Sequence, residues 1–600
     1  MSVFRRRLKR LRAALVTLKL DGFLVLHSKT YCGKPIELSS NRMRWLTGFS
    51  GSVGAAVVLH TRAAMFVDGR YMLQAAQQID TSSYEILNYS IVPIYEWLGN
   101  NIEFGSRIGI DPWVHTIANV RRLREVLSAK GCELIKLENH LVDMIHKEHS
   151  VPVAKALVSV WPVSLTGTSG YDKLTVLRSE LVAKQVQYAV LSDLECIAWL
   201  FNIRGTDIEF TPVVCAIALI SAEIGKSYLF IDEGKLGVVR EYLEQYVRLI
   251  PLASFLSALN QCVEPGAKIL VDPDKVADII GSTLEKGGGV LVESEDPLTK
   301  PKSVKTVAEI NGAREAHLFD GIAMIYFLKW FDDEAASGNL DELRIVAALE
   351  EFRKRFSTFL GLAFNSIVGS GPNGAIIHYC ATADSNRPIE KNSVVLVDSG
   401  AHFRSGTTDV TRTMVVGSVG DEIRDKATRV LKGHIAIATA RFPMGTTGAQ
   451  LDVLARMPLW QAGVNYDHGT GHGVGSCLNV HEGPCMISKT GKEPLCPGMI
   501  LSNEPGYYKT GSYGIRLESL FLVTEPSVII EGELPMCGFE VLTMVPIDKR
   551  LIKLSLMTKM ELEWVNNYHA RIMATLGGRI ECSEVLRWLE CATEPIICVT

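Results

Sequence analysis

Four carboxylates lie in or beside apolar, β-branched runs in the C-terminal half of the chain. The runs are VVLVDSG, GTTDVTRTMVV, MILSNEPGYY and GIRLESLFLV, and they carry Asp398, Asp409, Glu504 and Glu518. Runs of this kind are typical of buried strands. Burying one unpaired carboxylate costs several kcal/mol or more, so four neighbouring ones would not stay ionised without compensation. A fold that buries these strands must therefore bring positive charge to the acids.

A histidine-rich segment, HGTGHGVG, lies between the two pairs of acids and contains His472. Two divalent cations would balance the four carboxylates, with His472 as a neutral ligand. Oxygen donors with one imidazole suit Mn²⁺, Zn²⁺ or Co²⁺ better than a thiolate-rich zinc site does. The sequence therefore predicts a two-metal hydrolase with the metal ligands Asp398, Asp409, His472, Glu504 and Glu518.

A lone aspartate in a strand is usually a cap, a turn residue or an ion-pair partner, and each acid taken singly deserves that interpretation. The order of the set, D-x₁₀-D, then H, then E-x₁₃-E, favours the metal site. The segment Ser393–Gly417 predicts a β-hairpin with its turn at Ser405-Gly406. Folding there brings Asp398 and Asp409 to roughly opposite places, and cross-strand neighbours lie about 4.5–5.5 Å apart at Cβ.

Length and composition indicate an ordinary globular chain with several domains. The chain has 600 residues, of which 47% are hydrophobic and 21% charged, so we expect three or more domains. A net charge of -4 and a pI of about 6.4 argue for neither a nucleic acid nor a membrane partner. The 13 cysteines contain no C-x-x-C pair, which indicates free thiols and a cytoplasmic location. No apolar run reaches the length of about 18 residues that a membrane span needs.

The N-terminus predicts the first helix of a folded domain. Leu8, Leu11, Leu15 and Leu18 have the spacing of one helix face. The arginines of this segment are also typical of a mitochondrial transit peptide, so import into mitochondria is the less favoured alternative. The same basic cluster, residues 5–12, is more simply a solvated helix face than a nucleic-acid patch.

The alternation of apolar runs predicts two α/β regions followed by a longer region of helices and strands. We expect an N-terminal α/β domain over residues 1–150 and a second α/β domain over 151–302. A third domain is expected over 303–600, with a C-terminal extension from about residue 540. The first two domains share a pattern of elements but no residue-level repeat.

The stretch GSGPNG at residues 369–374 formally matches the dinucleotide motif G-x-G-x-x-G. A dinucleotide loop holds the pyrophosphate at a helix N-terminus, but Pro372 stands where that helix would open. The following AIIHY predicts a strand instead. We therefore give the motif no role in nucleotide binding.

The motifs as a set resemble the metallopeptidases of the pita-bread fold, which include aminopeptidase P, prolidase and methionine aminopeptidase. HGTGHGVGSCLNVHEGP at residues 468–484 resembles aminopeptidase P in its long, three-domain cytosolic form. NRMRWLTGFSGSVGAAVV, FVDGRYMLQA, FNIRGTDIEFTPVV and WVNNYHARI extend the resemblance over nearly the whole chain. One departure is Ser405, where the family often has aspartate, but this residue lies in the expected turn and not at a ligand.

The resemblance implies roles for further residues. His378, His468 and His481 occupy the family's proton-shuttling and substrate-contacting positions, and Glu504 would be both ligand and general base. Two cationic side chains, those of Arg516 and Arg70, would order the substrate or the site. Arg70 would do so from another domain or from a partner subunit. A hydroxide bridging the two metals would attack the scissile carbonyl, with a histidine stabilising the developing charge.

The expected function is removal of the N-terminal residue from peptides that have proline in the second position, by a homodimer with two divalent metals, preferably Mn²⁺. A prolidase, which cuts Xaa-Pro dipeptides, is the catalytic alternative, although the full second domain and SCLNVHEGP speak against it. A metal-free pita-bread module that binds proteins is the second alternative. The intact ligand set speaks against that module.

Overall fold

The structure is a computed structural model that describes residues 2–27, 36–146 and 157–597, without the side chains of 36–41. The chain forms two compact units. The first comprises Met1–Val163, Thr168–Ile208 and Pro212–Thr299, and the second comprises Ser164–Gly167, Glu209–Thr211 and Lys300–Thr600. The expected boundary at residue 150 lies outside the described residues, and the three-domain division stays a prediction.

The described residues agree with two simple expectations from composition. Every cysteine among them is a free thiol. None of their helices combines the length and the apolar character needed to cross a bilayer.

The first unit begins with a six-stranded sheet flanked by helices. Its elements are α1 Val3–Thr17, β1 Gly22–Leu26, α2 Ile36–Thr47, β2 Ala55–Leu59, β3 Ala63–Val67, α3 Met72–Gln78, β4 Glu85–Asn88, α4 Ile94–Asn101, β5 Arg107–Ile110, α5 Ile117–Ser128, β6 Glu133–Lys136 and α6 Leu141–Ile145. The strand order is β4-β3-β2-β1-β5-β6. In α1, the predicted face is buried through Leu8, Leu11 and Leu15, while Leu18 caps the C-terminus.

A second six-stranded sheet follows in the same unit. The elements of this stretch are β7 Ser159–Val160, α7 Val163–Thr166, α8 Gly170–Ala183, β8 Tyr188–Leu191, α9 Leu194–Leu200, β9 Ile203–Arg204, β10 Ala216–Ser221, β11 Tyr228–Ile231, α10 Val239–Glu244, β12 Arg248–Pro251, α11 Phe255–Cys262, β13 Lys268–Val271, α12 Asp278–Lys286 and β14 Val290–Glu293. The order β12-β11-β10-β8-β13-β14 repeats that of the first sheet.

The two sheets are also equivalent in strand direction. In the first sheet, β1 is antiparallel to β2 and parallel to β5. In the second sheet, β8 is likewise antiparallel to β10 and parallel to β13. The remaining pairs of the two sheets match in the same way. The backbone contacts between them are reciprocal, since Ile117 N–H donates to Val276 O and Asp278 N–H donates to His115 O. The expectation of two related α/β regions is therefore confirmed, and their likeness lies in topology.

The rest of the chain contains longer helices and antiparallel strands. Its elements are α13 Thr299–Ser303, α14 Val307–Ser337, α15 Glu342–Arg353, β15 Phe359–Leu362, β16 Ile367–Ser370, β17 Ser393–Phe403, β18 Gly406–Val416, α16 Asp421–Ala438, α17 Gly448–Trp460, β19 Gly471–Gly473, β20 Glu482–Ile487, β21 Ile500–Asn503, β22 Gly506–Lys509, β23 Tyr513–Arg516, β24 Ser519–Val523, β25 Ser527–Val528, β26 Pro535–Met536, β27 Phe539–Val541, α18 Lys559–Leu576 and α19 Ser583–Thr593. The larger sheets have the orders β15-β17-β16, with β18 beside β17, and β20-β19-β21-β24-β27.

The long helix α14 lies directly against the β17–β18 hairpin. It begins with a capping box between Thr306 and Glu309, which satisfies its first free N–H groups. Near its start, a Cβ on Gly312 would come within 2.3 Å of the carbonyl oxygen of Ser405. Glycine therefore permits the close approach of helix and hairpin.

The hairpin carries the first two acids on one face. Asp398 pairs with Thr411 and Asp409 pairs with Gly400, so the acids are diagonal neighbours, not directly opposite. The turn is formed by residues 404–405, one position earlier than predicted, because Gly406 already pairs in the strand. The predicted hairpin itself is confirmed.

Strand periodicity separates the acids from the apolar core. Val395 and Val397 on β17 and Val410 on β18 pack against α14 and α15. Asp398 and Asp409 alternate with them, so they point to the opposite face. The hairpin is buried on both faces, which explains why its sequence is a nearly continuous apolar run.

The GSGPNG segment also differs from expectation in one detail. Strand β16 is followed by a short 3₁₀ helix, Gly371–Ala375. The predicted AIIHY strand is wrong, because the residues after this helix form a turn that contains His378. A helix of this length supplies no nucleotide-binding N-terminus, so the rejection of the dinucleotide motif agrees with the structure.

Candidate metal centre

The second unit places the five predicted ligands on, or directly next to, five strands. Asp398 and Asp409 lie on β17 and β18, and His472 lies on β19. Glu504 directly follows β21, and Glu518 directly precedes β24. Ligand atoms of Asp409, His472 and Glu518 all lie within 4.8 Å of one another.

The imidazole of His472 faces the acids with one nitrogen. Its Nδ1 lies 3.0 Å from the carbonyl oxygen of Gly473, which acts as the acceptor when Nδ1 carries the proton. Its Nε2 then carries the lone pair and lies 3.6 Å from Asp409 Oδ2 and 3.4 Å from Glu504 Oε1. This arrangement suits a neutral metal ligand, whose second nitrogen is held by a hydrogen bond.

A serine connects the histidine and one of the acids. The Ser502 hydroxyl accepts a hydrogen bond from the backbone N–H of His472 at 3.0 Å. The same hydroxyl lies 3.4 Å from Glu504 Oε1, to which it donates. The strands β19 and β21 therefore hold these two ligands in a common register.

Charge repulsion dominates the electrostatics of the acids. Burial, and then the charges of Glu518, Asp398 and Glu504, raise the pKa of Asp409 well above its ordinary value. Burial and the charges of Asp398 and Glu504 likewise raise the pKa of Glu518. Ionising all of these carboxylates together is therefore unfavourable without added positive charge.

The donor set fits divalent cations. Asp398 Oδ1 and Asp409 Oδ1 are both buried and receive no hydrogen bond from the described residues. Buried carboxylate oxygens normally accept a hydrogen bond or bind a cation, so these two atoms are candidate cation ligands. Together with His472 Nε2, they form an oxygen-rich, thiolate-free set of the kind that Mn²⁺ and Zn²⁺ accept.

Arg516 is the cation that contacts the cluster. Its Nη2 donates to Asp398 Oδ2 at 2.5 Å, and its Nε donates to Thr411 Oγ1 at 3.2 Å. Its Nη1 donates to the Tyr508 hydroxyl at 2.7 Å and to Ile377 O at 3.3 Å. The side chain is buried, so of the two predicted roles, substrate binding and site ordering, the geometry favours site ordering.

The three predicted histidines occupy different surroundings. His468 is buried, with Nδ1 2.7 Å from Gly469 O and Nε2 2.9 Å from the Tyr508 hydroxyl. His481 is exposed, and its ring lies 4.3 Å from that of His472, centre to centre. His378 is half-buried and follows Ile377, whose carbonyl accepts from Arg516.

Arg70 belongs to the first compact unit. Its guanidinium pairs with Asp68, with Nη2 2.6 Å from Oδ2, and it lies over the ring of Tyr71. These contacts account for its local packing. Its predicted contact with substrate stays a prediction.

Two side chains of the site, those of Thr411 and Tyr508, were not predicted from the sequence. Thr411 Oγ1 donates to Glu518 Oε2 at 2.7 Å, and Tyr508 joins His468 to Arg516. Thr411 is two residues after Asp409 on the same strand face, so strand periodicity could have identified it. Tyr508 carried no such signal, because the neighbouring Tyr507 is a residue of the same type.

A second acidic cluster lies in the first unit and already contains its cation. Asp193, Cys196 and Asp296 have ligand atoms within 4.8 Å of one another. Lys275 Nζ lies 3.0 Å from Asp193 Oδ2 and 3.9 Å from Asp296 Oδ2. The ammonium group supplies the compensating charge, so we assign no metal to this cluster.

The chain matches family models along most of its length. Residues 311–525 match the metallopeptidase family M24, and residues 535–596 match the C-terminal region of the same peptidases. Residues 7–145 and 150–309 each match the creatinase/prolidase N-terminal domain.

Relatives match over the full chain. The identity is 37% to the probable Xaa-Pro aminopeptidase P of Paracoccidioides brasiliensis (strain Pb03), over 98% of this chain and 99% of that protein. The identity is 39% to the probable Xaa-Pro aminopeptidase P of Aspergillus clavatus, over 98% of this chain and 92% of that protein. The crystal structure of X-prolyl aminopeptidase from Caenorhabditis elegans, a cytosolic enzyme with a di-nuclear active site, matches with a TM-score of 0.92 and 31% identity, over 99% of this chain and 100% of that one.

Cation binding should stabilise the folded protein. We expect Mn²⁺ or Zn²⁺, added to chelator-stripped protein, to raise the melting temperature, because a ligand at 100 times its Kd contributes about 2.7 kcal/mol. Asp409→Asn should shrink this rise and also raise the melting temperature of the stripped protein, because it removes one repelling buried carboxylate. Differential scanning calorimetry measures both effects.

The control for this experiment is Asp333→Asn, at an exposed acid on α14 paired with Lys329. This variant should melt like the unchanged protein with and without cations. A stripped protein whose melting temperature ignores added Mn²⁺ and Zn²⁺ would contradict the metal assignment.

Proposed function

The chain belongs to the Xaa-Pro aminopeptidase P family, and we propose that it releases the N-terminal residue from peptides whose second residue is proline. The observation that carries the proposal is a cluster of four carboxylates and His472, with Asp398, Asp409 and Glu518 buried, in a chain that matches this family from end to end. A metal-free binding module would have no need for four such acids. The full-length match supports the aminopeptidase over the prolidase.

We propose that Asp398, Asp409, His472, Glu504 and Glu518 hold two divalent cations. The oxygen-rich donor set favours Mn²⁺, with Zn²⁺ or Co²⁺ as alternatives. Bound cations supply Lewis-acid polarisation of a carbonyl and activation of water at neutral pH. The protein itself supplies the alignment, through strands that fix each ligand.

The proposed division of labour follows from exposure and hydrogen bonding. Glu504, half-buried at the rim of the cluster, is placed to take the proton of the attacking water. His481 and His378 are accessible enough to hydrogen-bond the developing oxyanion or the leaving nitrogen. The catalytic role of His468 stays a prediction, and the hydrogen-bond partners of both its ring nitrogens favour a positioning role.

Proline in the second position gives the substrate a distinctive shape. The scissile bond is a tertiary amide without N–H, and the ring fixes φ. A site fitted to that shape rejects ordinary peptides, and acids of the site would anchor the free N-terminus. Arg70 stays a proposed substrate contact from its own or a neighbouring subunit.

We also propose a cytoplasmic homodimer. The free thiols of the described residues and the cytosolic C. elegans relative support the location. The outer side of α17 supports the dimer, since Val453, Met457 and Trp460, spaced four and three residues apart, are 46%, 46% and 45% exposed. Such an apolar stripe on a helix is typical of a surface that packs against a partner.

A peptide panel tests the substrate. We expect Xaa-Pro-Yaa peptides to be cut after Xaa and Xaa-Ala-Yaa peptides to be cut far more slowly, because the site recognises the tertiary amide. Peptides with an acetylated N-terminus should resist cleavage. Mass spectrometry of the products gives both results, and cleavage of Xaa-Pro dipeptides alone would favour the prolidase.

Variants of the histidines test the assigned roles. His378→Ala and His481→Ala should lower kcat by about 10²–10⁴-fold with metal retained, because such donors act only on charge that develops in the reaction. His472→Ala should lower the metal content as well. Elemental analysis beside steady-state kinetics separates the cases, and equal metal loss in all three variants would refute the division.

Sedimentation velocity tests the dimer. Met457→Glu should convert the dimer to monomer, because it places a charge in the apolar stripe. Met560→Glu, at an exposed methionine on α18, is the matched control and should leave the mass unchanged. An unchanged protein that sediments as a monomer at every concentration would contradict the proposal.

A further inference from the structure

Helix α17 contains an ion pair that points into the protein. Asp452 and Arg456 are one helical turn apart, with Arg456 Nε 2.7 Å from Asp452 Oδ2. Their side chains are each only 2% exposed. Moving two charges out of water is expensive, and well-packed apolar side chains of similar size often stabilise a fold as well or better. Stability alone therefore does not account for the pair.

The free donors of Arg456 bind the segment that leads to the metal ligand. Nη1 donates to Tyr466 O and Nη2 donates to His468 O, each at 2.8 Å. Residues 464–470 form neither helix nor strand, so their backbone has no ladder of its own. The planar guanidinium holds two carbonyls of this segment at once, which a single point charge does not do equally well.

The carboxylate of the pair holds the end of the same segment. Thr470 Oγ1 donates to Asp452 Oδ1 at 2.5 Å, and the Tyr466 hydroxyl lies 2.5 Å from Thr470 Oγ1. The carbonyl of Thr470 in turn accepts the backbone N–H of Glu504 at 2.7 Å. One buried pair thus connects, through Thr470, to the segment of His472 and to the backbone of Glu504.

We propose that Asp452 and Arg456 are positioning residues of the active centre. Their ion pair sets the path of residues 465–472, so that His472 meets Asp409 and Glu504. The hydrogen bonds of the pair reach the backbone carbonyls of Tyr466 and His468 and the side chains of Asn465 and Thr470, so it acts through this segment. This inference rests on the proposed function for its kinetic consequences, but its structural consequence is independent of any substrate.

Arg456→Lys is the most direct test, because it keeps the positive charge and removes the planar guanidinium that binds two carbonyls at once. We expect kcat for an Xaa-Pro-Yaa peptide to fall about 10–100-fold with KM little changed, and metal content to fall with it. Hydrogen–deuterium exchange should rise in peptides covering 464–472, because their carbonyls lose a partner. Both measurements use the full-length, Mn²⁺-loaded protein.

The matched control is Arg429→Lys on α16. Arg429 also pairs with an aspartate four residues earlier, Asp425, at 2.9 Å, and donates to a helix carbonyl, Pro458 O, at 3.0 Å. None of these groups belongs to the metal centre. The control should keep kcat, metal content and exchange in 464–472 unchanged.

A double variant, Asp452→Leu with Arg456→Met, covers the case in which Arg456→Lys does not fold. Replacing both charges avoids a lone buried ion, so the melting temperature should be kept while kcat still falls at least about 10-fold. The proposal is overturned if either folded variant matches Arg429→Lys in kcat and exchange, or if activity falls only in step with melting temperature. If the unchanged protein cleaves no Xaa-Pro-Yaa peptide but exchange in 464–472 rises in Arg456→Lys, the proposed function fails and the positioning role stands.

Discussion

The repulsion among four clustered carboxylates, three of them buried, is the constraint on which the catalytic unit depends. Arg516 contacts one of them, yet burial and mutual charge still raise the pKa of Asp409 and Glu518. Hydrogen bonds from Thr411 and Ser502 orient oxygens without cancelling their charge. Divalent cations would resolve the conflict, because they neutralise these charges, and the same charges would give the cations their affinity.

The fold places core packing on one face of the hairpin strands and the carboxylates on the other face. One face of the β17–β18 hairpin packs on α14 and α15 through valines, and the other presents Asp398 and Asp409. Ligands on rigid strands stay in register better than ligands on loops do. The proposed ligand His472 lies on the short strand β19, after a segment without regular structure that α17 supports through a buried ion pair.

The surroundings of the histidines illustrate how tertiary contacts refine a role. His468 and His481 both lie in the segment 468–484, but one is buried against Tyr508 and the other is exposed beside His472. Proton transfer to a reacting group needs an accessible nitrogen, whereas a ring with both nitrogens hydrogen-bonded suits orientation. We therefore propose different roles for these two histidines.

The sequence by itself determined the hairpin and most strands of the site and predicted five ligands, because burial and period-two alternation are local properties of the chain. It also indicated the two related α/β regions through their pattern of elements. Only the tertiary structure decided the diagonal register of Asp398 and Asp409, the turn at His378 and the ion pair beneath His468. These depend on which side chains meet across long separations, and no local propensity encodes such meetings.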